Sequence, residues 1–211
     1  MTKKERYQGV LAWFQANMPH ADSELNFSSP FELLVAVMLS AQCTDKRVNA
    51  VTPRLFAAFP TPERLANSSA DEVYEYIKSV SYPNSKARHL VEMARQLVEN
   101  FGSAVPSDLD ALQSLQGVGR KTANVVAAVA FGKNTMPVDT HVFRVANRIG
   151  LTHTTTPLAT ERELVKHIPE NLLSRAHHWF LLHGRYVCIA RKPHCDQCGI
   201  TNYCLFFTRK K

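Results

Sequence analysis

The sequence predicts an all-α fold on three observations. Apolar residues recur at three- and four-residue spacing through most of the chain, helix-capping signatures precede several of those stretches, and no segment shows the strict alternation or the Asn-Gly turn of a hairpin strand. Ser29-Pro30-Phe31-Glu32 combines an N-cap serine, a proline at the first helical position and a capping-box glutamate. The helix it opens, through Leu39, is apolar nearly all round, so it should lie centrally in a core. Ser69-Ala70-Asp71-Glu72 repeats the capping box before Val73, Tyr74 and Ile77. A further helix should open at Ser85, carry Leu90, Met93 and Leu97, and stop at Gly102. Helices are also expected over 4–17, 44–59, 109–115, 121–131, 140–149, 161–168 and 172–187. Pro53 falls inside one of them, where it removes a backbone hydrogen bond and should kink the helix.

A chain of 211 residues, 45% hydrophobic and 20% charged, can bury one sizeable core or two smaller ones. The first thirty residues hold no apolar stretch of signal-peptide length, and the longest apolar run, 31–39, contains Glu32, so a cytoplasmic and not a membrane-embedded protein is expected. Lys and Arg outnumber Asp and Glu by 25 to 18, a net charge of +7 that favours polyanionic partners such as nucleic acid or acidic headgroups. Composition alone places no domain boundary.

Of the five cysteines, Cys43 stands apart and reads as an apolar filler. Cys188, Cys195, Cys198 and Cys204 crowd into the C-terminal segment as C-x6-C-x2-C-x5-C. Four thiolates at this density can enclose one metal or one iron-sulfide cube, and generic spacing favours structural zinc first. All four ligands come from protein, which leaves no open position and points to a structural role. The loop between the first two ligands carries Arg191, Lys192 and His194, a basic surface suited to phosphates.

The segment Leu115-Gln116-Gly117-Val118-Gly119-Arg120-Lys121-Thr122-Ala123-Asn124 puts two glycines into a very short connection between helical patterns. It reads either as a tight helix-helix turn with a glycine cap or as a phosphate cradle, with the first N–H groups of the following helix pointing outward.

This stretch resembles the helix-hairpin-helix of the endonuclease III family, usually L-P-G-V-G-R-K-T-A-N, with Gln116 in place of proline as the one departure. Leu39-Ser40-Ala41-Gln42, Asn84-Ser85-Lys86-Ala87, Pro137-Val138-Asp139-Thr140-His141-Val142-Phe143-Arg144-Val145 and His183-Gly184-Arg185 are similar to the family pattern in the same order and spacing. The resemblance implies a six-helix barrel over 22–133 containing the helix-hairpin-helix at about 109–131. It also implies a cluster lobe of 1–21 plus 134–211 with its cluster loop at 188–204, and a DNA cleft between the two lobes. It reverses the metal choice from zinc to [4Fe-4S].

The resemblance makes Lys121 the catalytic amine and Asp139 the catalytic carboxylate. An amine can attack the anomeric carbon and form a Schiff base, which acidifies the neighbouring proton and allows β-elimination. Without the family, Lys121 reads as a phosphate-binding lysine. Asp139 also reads as an N-cap accepting from His141 or Val142, which would hold its carboxylate in place beside a cationic sugar. His141 is expected to be structural or to contact phosphate. A base reached by flipping leaves a hole in the stack; Gln42 matches the family residue that enters it. Tyr82, in Ser81-Tyr82-Pro83-Asn84-Ser85-Lys86, stands where the family has leucine in G-L-Y-N-S-K. Gly117, Val118, Gly119, Arg120, Thr122, Arg191 and Lys192 complete the expected DNA-binding set.

The implied activity is that of a bifunctional DNA glycosylase and apurinic/apyrimidinic lyase. It would act as a monomer on oxidised pyrimidines in damaged double-stranded DNA, in the cytoplasm and at the nucleoid if bacterial. The rivals are a monofunctional mismatch glycosylase, which usually lacks lysine at 121 and in the adenine-specific enzymes adds a C-terminal domain, and a non-catalytic DNA-binding module.

Overall fold

A computed structural model describes residues 1–209, and among them no strand occurs. Among the described residues twelve α-helices follow in order: α1 (Lys3–Asn17), α2 (Pro30–Ser40), α3 (Asp45–Ala58), α4 (Pro62–Ala66), α5 (Ala70–Ile77), α6 (Pro83–Phe101), α7 (Leu109–Ser114), α8 (Arg120–Phe131), α9 (Thr140–Ile149), α10 (Pro157–His167), α11 (Leu173–Tyr186) and α12 (Leu205–Thr208). None is long and apolar enough to cross a membrane. The all-α expectation holds.

Local signals set most of the helix ends. Ser69 caps α5 in a complete capping box with Glu72. Ser29 accepts from the Glu32 N–H, but the Glu32 carboxylate turns one residue further back, to the N–H and hydroxyl of Ser28 at 2.6 and 2.7 Å. Pro30 sits at the start of α2, as the sequence reading required. Two helix starts differ from expectation by two residues or more, and the short α4 and α12 were not expected. Helix α10 begins at Pro157 behind the Thr156 cap rather than at 161; this is the same Ser/Thr-Pro signature as at Ser29-Pro30. The five-residue α4, opened by Thr61-Pro62, is too short to show a hydrophobic period. Helix α6 starts at Pro83 rather than Ser85, because Tyr82 adopts a left-handed N-cap conformation that no propensity announces. Pro53 lies inside α3.

The chain divides into two compact units. The central unit, Glu24–Gly132, contains α2 to α8: the six helices expected there plus the short α4. Its core is built around α2, whose residues from Leu33 to Leu39 are all buried, against Leu55, Leu65, Val73, Ile77, Leu90, Met93, Leu97, Leu112 and Val126. Helix α2 packs on α3, α6 and α8, which explains why it is apolar on every side. Cys43 is half-buried against this core rather than fully enclosed.

The terminal unit joins Met1–Ser23 to the chain from Lys133 onward. Phe14 of α1 stacks on Trp179 of α11 at 5.9 Å between centroids, and the Trp179 indole donates to the Met18 carbonyl at 2.8 Å. Val142, Val145 and Ile149 of α9, with Leu151, Leu164, Phe180 and Ile200, complete this second core. The hydrophobic anchoring of α1 makes the N-terminal segment an integral part of this unit.

Candidate functional site

In the central unit, one connection is built on glycine. The Val118 N–H donates to the Leu115 carbonyl at 3.0 Å and Gly117 has φ +78°. These are the marks of a type II turn, with Gln116 at the second position and glycine required at the third. A side chain at Gly117 would also meet the Cβ of His89 at 2.9 Å, so glycine is demanded twice over. Gly119 is different. Its φ is −86°, nothing lies within 4 Å of where a Cβ would stand, and it caps α8 with no side-chain bond. The positive end of a twelve-residue helix therefore opens at an exposed glycine, a geometry that accepts an anion. Arg120 and Lys121, the first two residues of α8, are exposed, and Thr122 is half-buried. Val118 is 5% exposed and belongs to the core, so its side chain anchors the turn.

Helix α6 aligns this hairpin with a second feature. Gln42 and Tyr82 both carry positive φ, 54° and 55°, rare for residues with side chains. Both line one cavity, of about 220 Å³, together with Met38, Ala41, Ser85, Lys86, His89 and Gly117. The Ser81 hydroxyl donates to the Gln42 carbonyl at 2.7 Å, tying the two strained loops together. Gln42 is exposed, and Tyr82 is 65% exposed. Beneath them Lys86, only 8% exposed, donates to the carbonyls of Leu39 and Ala41, each at 2.7 Å, at the negative end of α2. Burial lowers the pKa of this ammonium. Tyr82, Lys86, His89, Met93 and Gln96 follow one another at three- and four-residue steps. Along this face α6 presents a loop residue, clamps the end of α2, seats Gly117 and reaches Gln116. In the sequence Ser81 and Lys86 stand out only as members of motifs, and His89 and Gln96 not at all, because the roles of all four depend on partners far along the chain.

In the terminal unit, Asp139 is half-buried and caps α9: its Oδ1 accepts from His141 and Val142 at 2.9 and 2.8 Å, which leaves Oδ2 outside the cap. The next turns of α9 grip the cysteine loop. Arg144 donates to the carbonyls of Cys188 and Gly184 at 3.1 and 2.8 Å and contacts His141 Nδ1 at 3.1 Å. His141 thus has a structural contact. Arg148 donates to the carbonyls of Ile189 and Ala190 at 2.7 and 2.8 Å, approaches Cys188 Sγ at 3.5 Å, and lies over the Phe206 ring. Arg144 stood in the sequence only as a member of a motif and Arg148 not at all, because their acceptors lie about forty residues away on backbone atoms.

Cys188, Cys195, Cys198 and Cys204 are free thiols lining one apolar cavity with Ile149, His183 and Phe206. Burial pushes the Cys198 thiol up to about 11, and the like charges of Cys204, Cys188 and Cys195 add to the rise; Cys204 is raised for the same reasons. A strongly positive centre would hold all four as thiolates. Among the described residues no three His, Cys, Asp or Glu groups close tightly enough on a single ion. An all-sulfur set spread around an apolar pocket fits an iron-sulfur cube, which offers each thiolate its own iron. Arg191 and Lys192 are exposed on the loop between the first two ligands.

Residues 35–170 match the HhH-GPD superfamily base excision DNA repair proteins, and residues 188–204 match the iron-sulfur binding domain of endonuclease III. Endonuclease III of Rickettsia conorii is 50% identical over 198 residues, covering 94% of each chain. That of Escherichia coli K12 is 46% identical over 204 residues, covering 97% of this chain and 96% of its own. A solved trapped endonuclease III-DNA covalent intermediate superposes with a TM-score of 0.95 at 40% identity, over 100% of this chain and 99% of that one. With the glycine hairpin, the capped Asp139 and the four-cysteine pocket in one all-α chain, these matches place the protein in the endonuclease III family, as a DNA glycosylase and apurinic/apyrimidinic lyase of base excision repair that carries a [4Fe-4S] cluster.

Proposed function

We propose that this chain acts as a monomer on damaged double-stranded DNA, releasing oxidised pyrimidines and then cleaving the strand, with Lys121 as the nucleophile. The observation that carries this reading is the position of Lys121: exposed in the first turn of α8, two residues after the uncapped Gly119. A phosphate held at that helix end would bring the sugar next to an amine.

In this reading the Lys121 amine attacks the anomeric carbon as the base departs with the glycosidic electron pair. Ring opening then gives an imine, loss of the adjacent proton follows, and β-elimination expels the 3′ phosphate. Asp139 keeps one carboxylate oxygen for its cap, and the other offsets the positive charge that develops on the sugar. Gln42 and Tyr82, held in left-handed conformations on one cavity, fill the space left by the extruded nucleotide. Gly117, Gly119, Arg120 and Thr122 hold backbone phosphate, with Val118 anchoring their turn from the core. Arg191 and Lys192 add a second phosphate contact beside the cluster, whose role is to hold that loop in shape. A net charge of +7 supports the same partner; the proposed location is the cytoplasm, with nucleoid association in a bacterial cell.

Borohydride trapping on a duplex with one abasic site tests the central claim. The protein should yield a covalent adduct and Lys121→Ala should not. On a second duplex carrying one oxidised pyrimidine, base release without an adduct on either substrate would indicate a monofunctional glycosylase, and neither product would indicate a binding module. DNA affinity should fall steeply with salt, whereas a flat dependence would contradict phosphate-dominated contacts.

A further inference from the structure

We propose that Gln96 is a positioning residue for the hairpin, a side-chain latch that does at Gln116 what a proline would otherwise do. The inference rests on the reading of 115–121 as the DNA-phosphate site. In a type II turn the second position favours proline, whose ring presets φ and leaves no N–H to satisfy. Gln116 has neither property: its φ is unconstrained by a ring, and it carries a donor at an exposed turn.

The structure supplies both missing functions from one side chain twenty residues earlier. The Gln116 N–H donates to Gln96 Oε1 at 2.6 Å. Gln96 is half-buried on α6, so its amide oxygen projects from a rigid element and not from another loop. The hairpin is also seated on α6 at a second point, two helical turns back, where Gly117 lies against the Cβ and ring of His89. Two contacts about 10 Å apart on one helix face hold the turn in orientation as well as in place. The latch at Gln96 holds the residue that enters the turn, and His89 supports the glycine at its apex. The orientation of Gly119 and of the α8 N-terminus follows directly, because only Val118, itself buried in the core, lies between.

The latch and a proline are then alternatives, which makes the proposal a question of dependence between two positions. Gln96→Met removes the acceptor while keeping length and helix propensity. Amide hydrogen exchange of the unliganded protein at Val118, whose N–H closes the turn, should quicken about five-fold, the ratio expected of a hydrogen bond of ordinary net strength. Gln96→Glu, which retains an acceptor, should keep the protection. In a Gln116→Pro background the same Gln96→Met change should have no effect on exchange. Affinity for a short duplex carrying a tetrahydrofuran abasic analogue should fall by a similar factor in Gln96→Met and return in Gln96→Met/Gln116→Pro.

Equal effects of Gln96→Met in both backgrounds, or none in either, would overturn the latch. Faster exchange with unchanged affinity would overturn its role in positioning. If Gly119→Ser also leaves affinity unchanged, the failure belongs to the phosphate-site reading and not to the latch, which the exchange data on the unliganded protein judge separately.

Discussion

The two hairpin glycines should respond to substitution in opposite ways, because the structure demands glycine at one and only permits it at the other. At Gly117, alanine would have to hold φ +78°, at a cost of about 1 kcal/mol, and its Cβ would come within 2.9 Å of His89 Cβ. That atom lies at the root of the histidine side chain and cannot swing aside, so the hairpin or α6 must shift. Together these give roughly 2–3 kcal/mol, which for a chain of this size lowers the unfolding midpoint by about 5–10 °C. At Gly119 the backbone is ordinary, there is open space around the Cβ position, and serine is a better N-cap than glycine by a few tenths of a kcal/mol. Gly119→Ser should therefore unfold at the same temperature or slightly above, yet bind DNA more weakly, since its side chain occupies the path of an approaching phosphate. Thermal denaturation with fluorescence anisotropy on an abasic-analogue duplex measures both quantities on each variant. A Gly117→Ala protein as stable as the parent would refute the steric argument. A Gly119→Ser protein that binds as well as the parent would refute the assignment of the α8 N-terminus to phosphate.

Asp139→Asn keeps an oxygen to accept from His141 and Val142, so stability should change by less than about 0.5 kcal/mol, while glycosylase turnover falls by about 100-fold or more; undiminished turnover would remove Asp139 from the chemistry. Lys86→Met deletes two charge-assisted bonds to the carbonyls of Leu39 and Ala41 and should destabilise the protein by about 2 kcal/mol in urea denaturation. It should also loosen Gln42, seen as weaker fluorescence of 2-aminopurine opposite the lesion; unchanged stability would show that solvent replaces the lysine at no cost. Cys204→Ala removes one cluster ligand, so iron content and visible absorption should drop and limited proteolysis should cut first within 188–204, whereas a loop that stays resistant would mean the Arg144 and Arg148 bonds suffice to hold it.

Features that are local in their physics could be read directly along the chain. Capping at Ser29, Ser69 and Asp139, the buried character of α2 and the density of four cysteines depend on residues only a few positions apart, and each was legible in order along the chain. The type of metal centre and the catalytic reading of Lys121 needed the family resemblance in addition, because a lysine at a helix start and a four-cysteine cluster each support more than one chemistry.

The remaining features arise from long-range contacts. The left-handed conformations of Gln42 and Tyr82, and with them the true start of α6 at Pro83, are held by contacts between loops and not by propensity. Gln96, Arg144 and Arg148 act on backbone atoms about twenty to forty residues away, and a backbone carbonyl or N–H carries no side-chain signature by which a sequence could reveal its partner. The opposite demands at Gly117 and Gly119 depend on whether another helix passes close behind them. Behind Gly117 the histidine of α6 does, and around Gly119 there is open space.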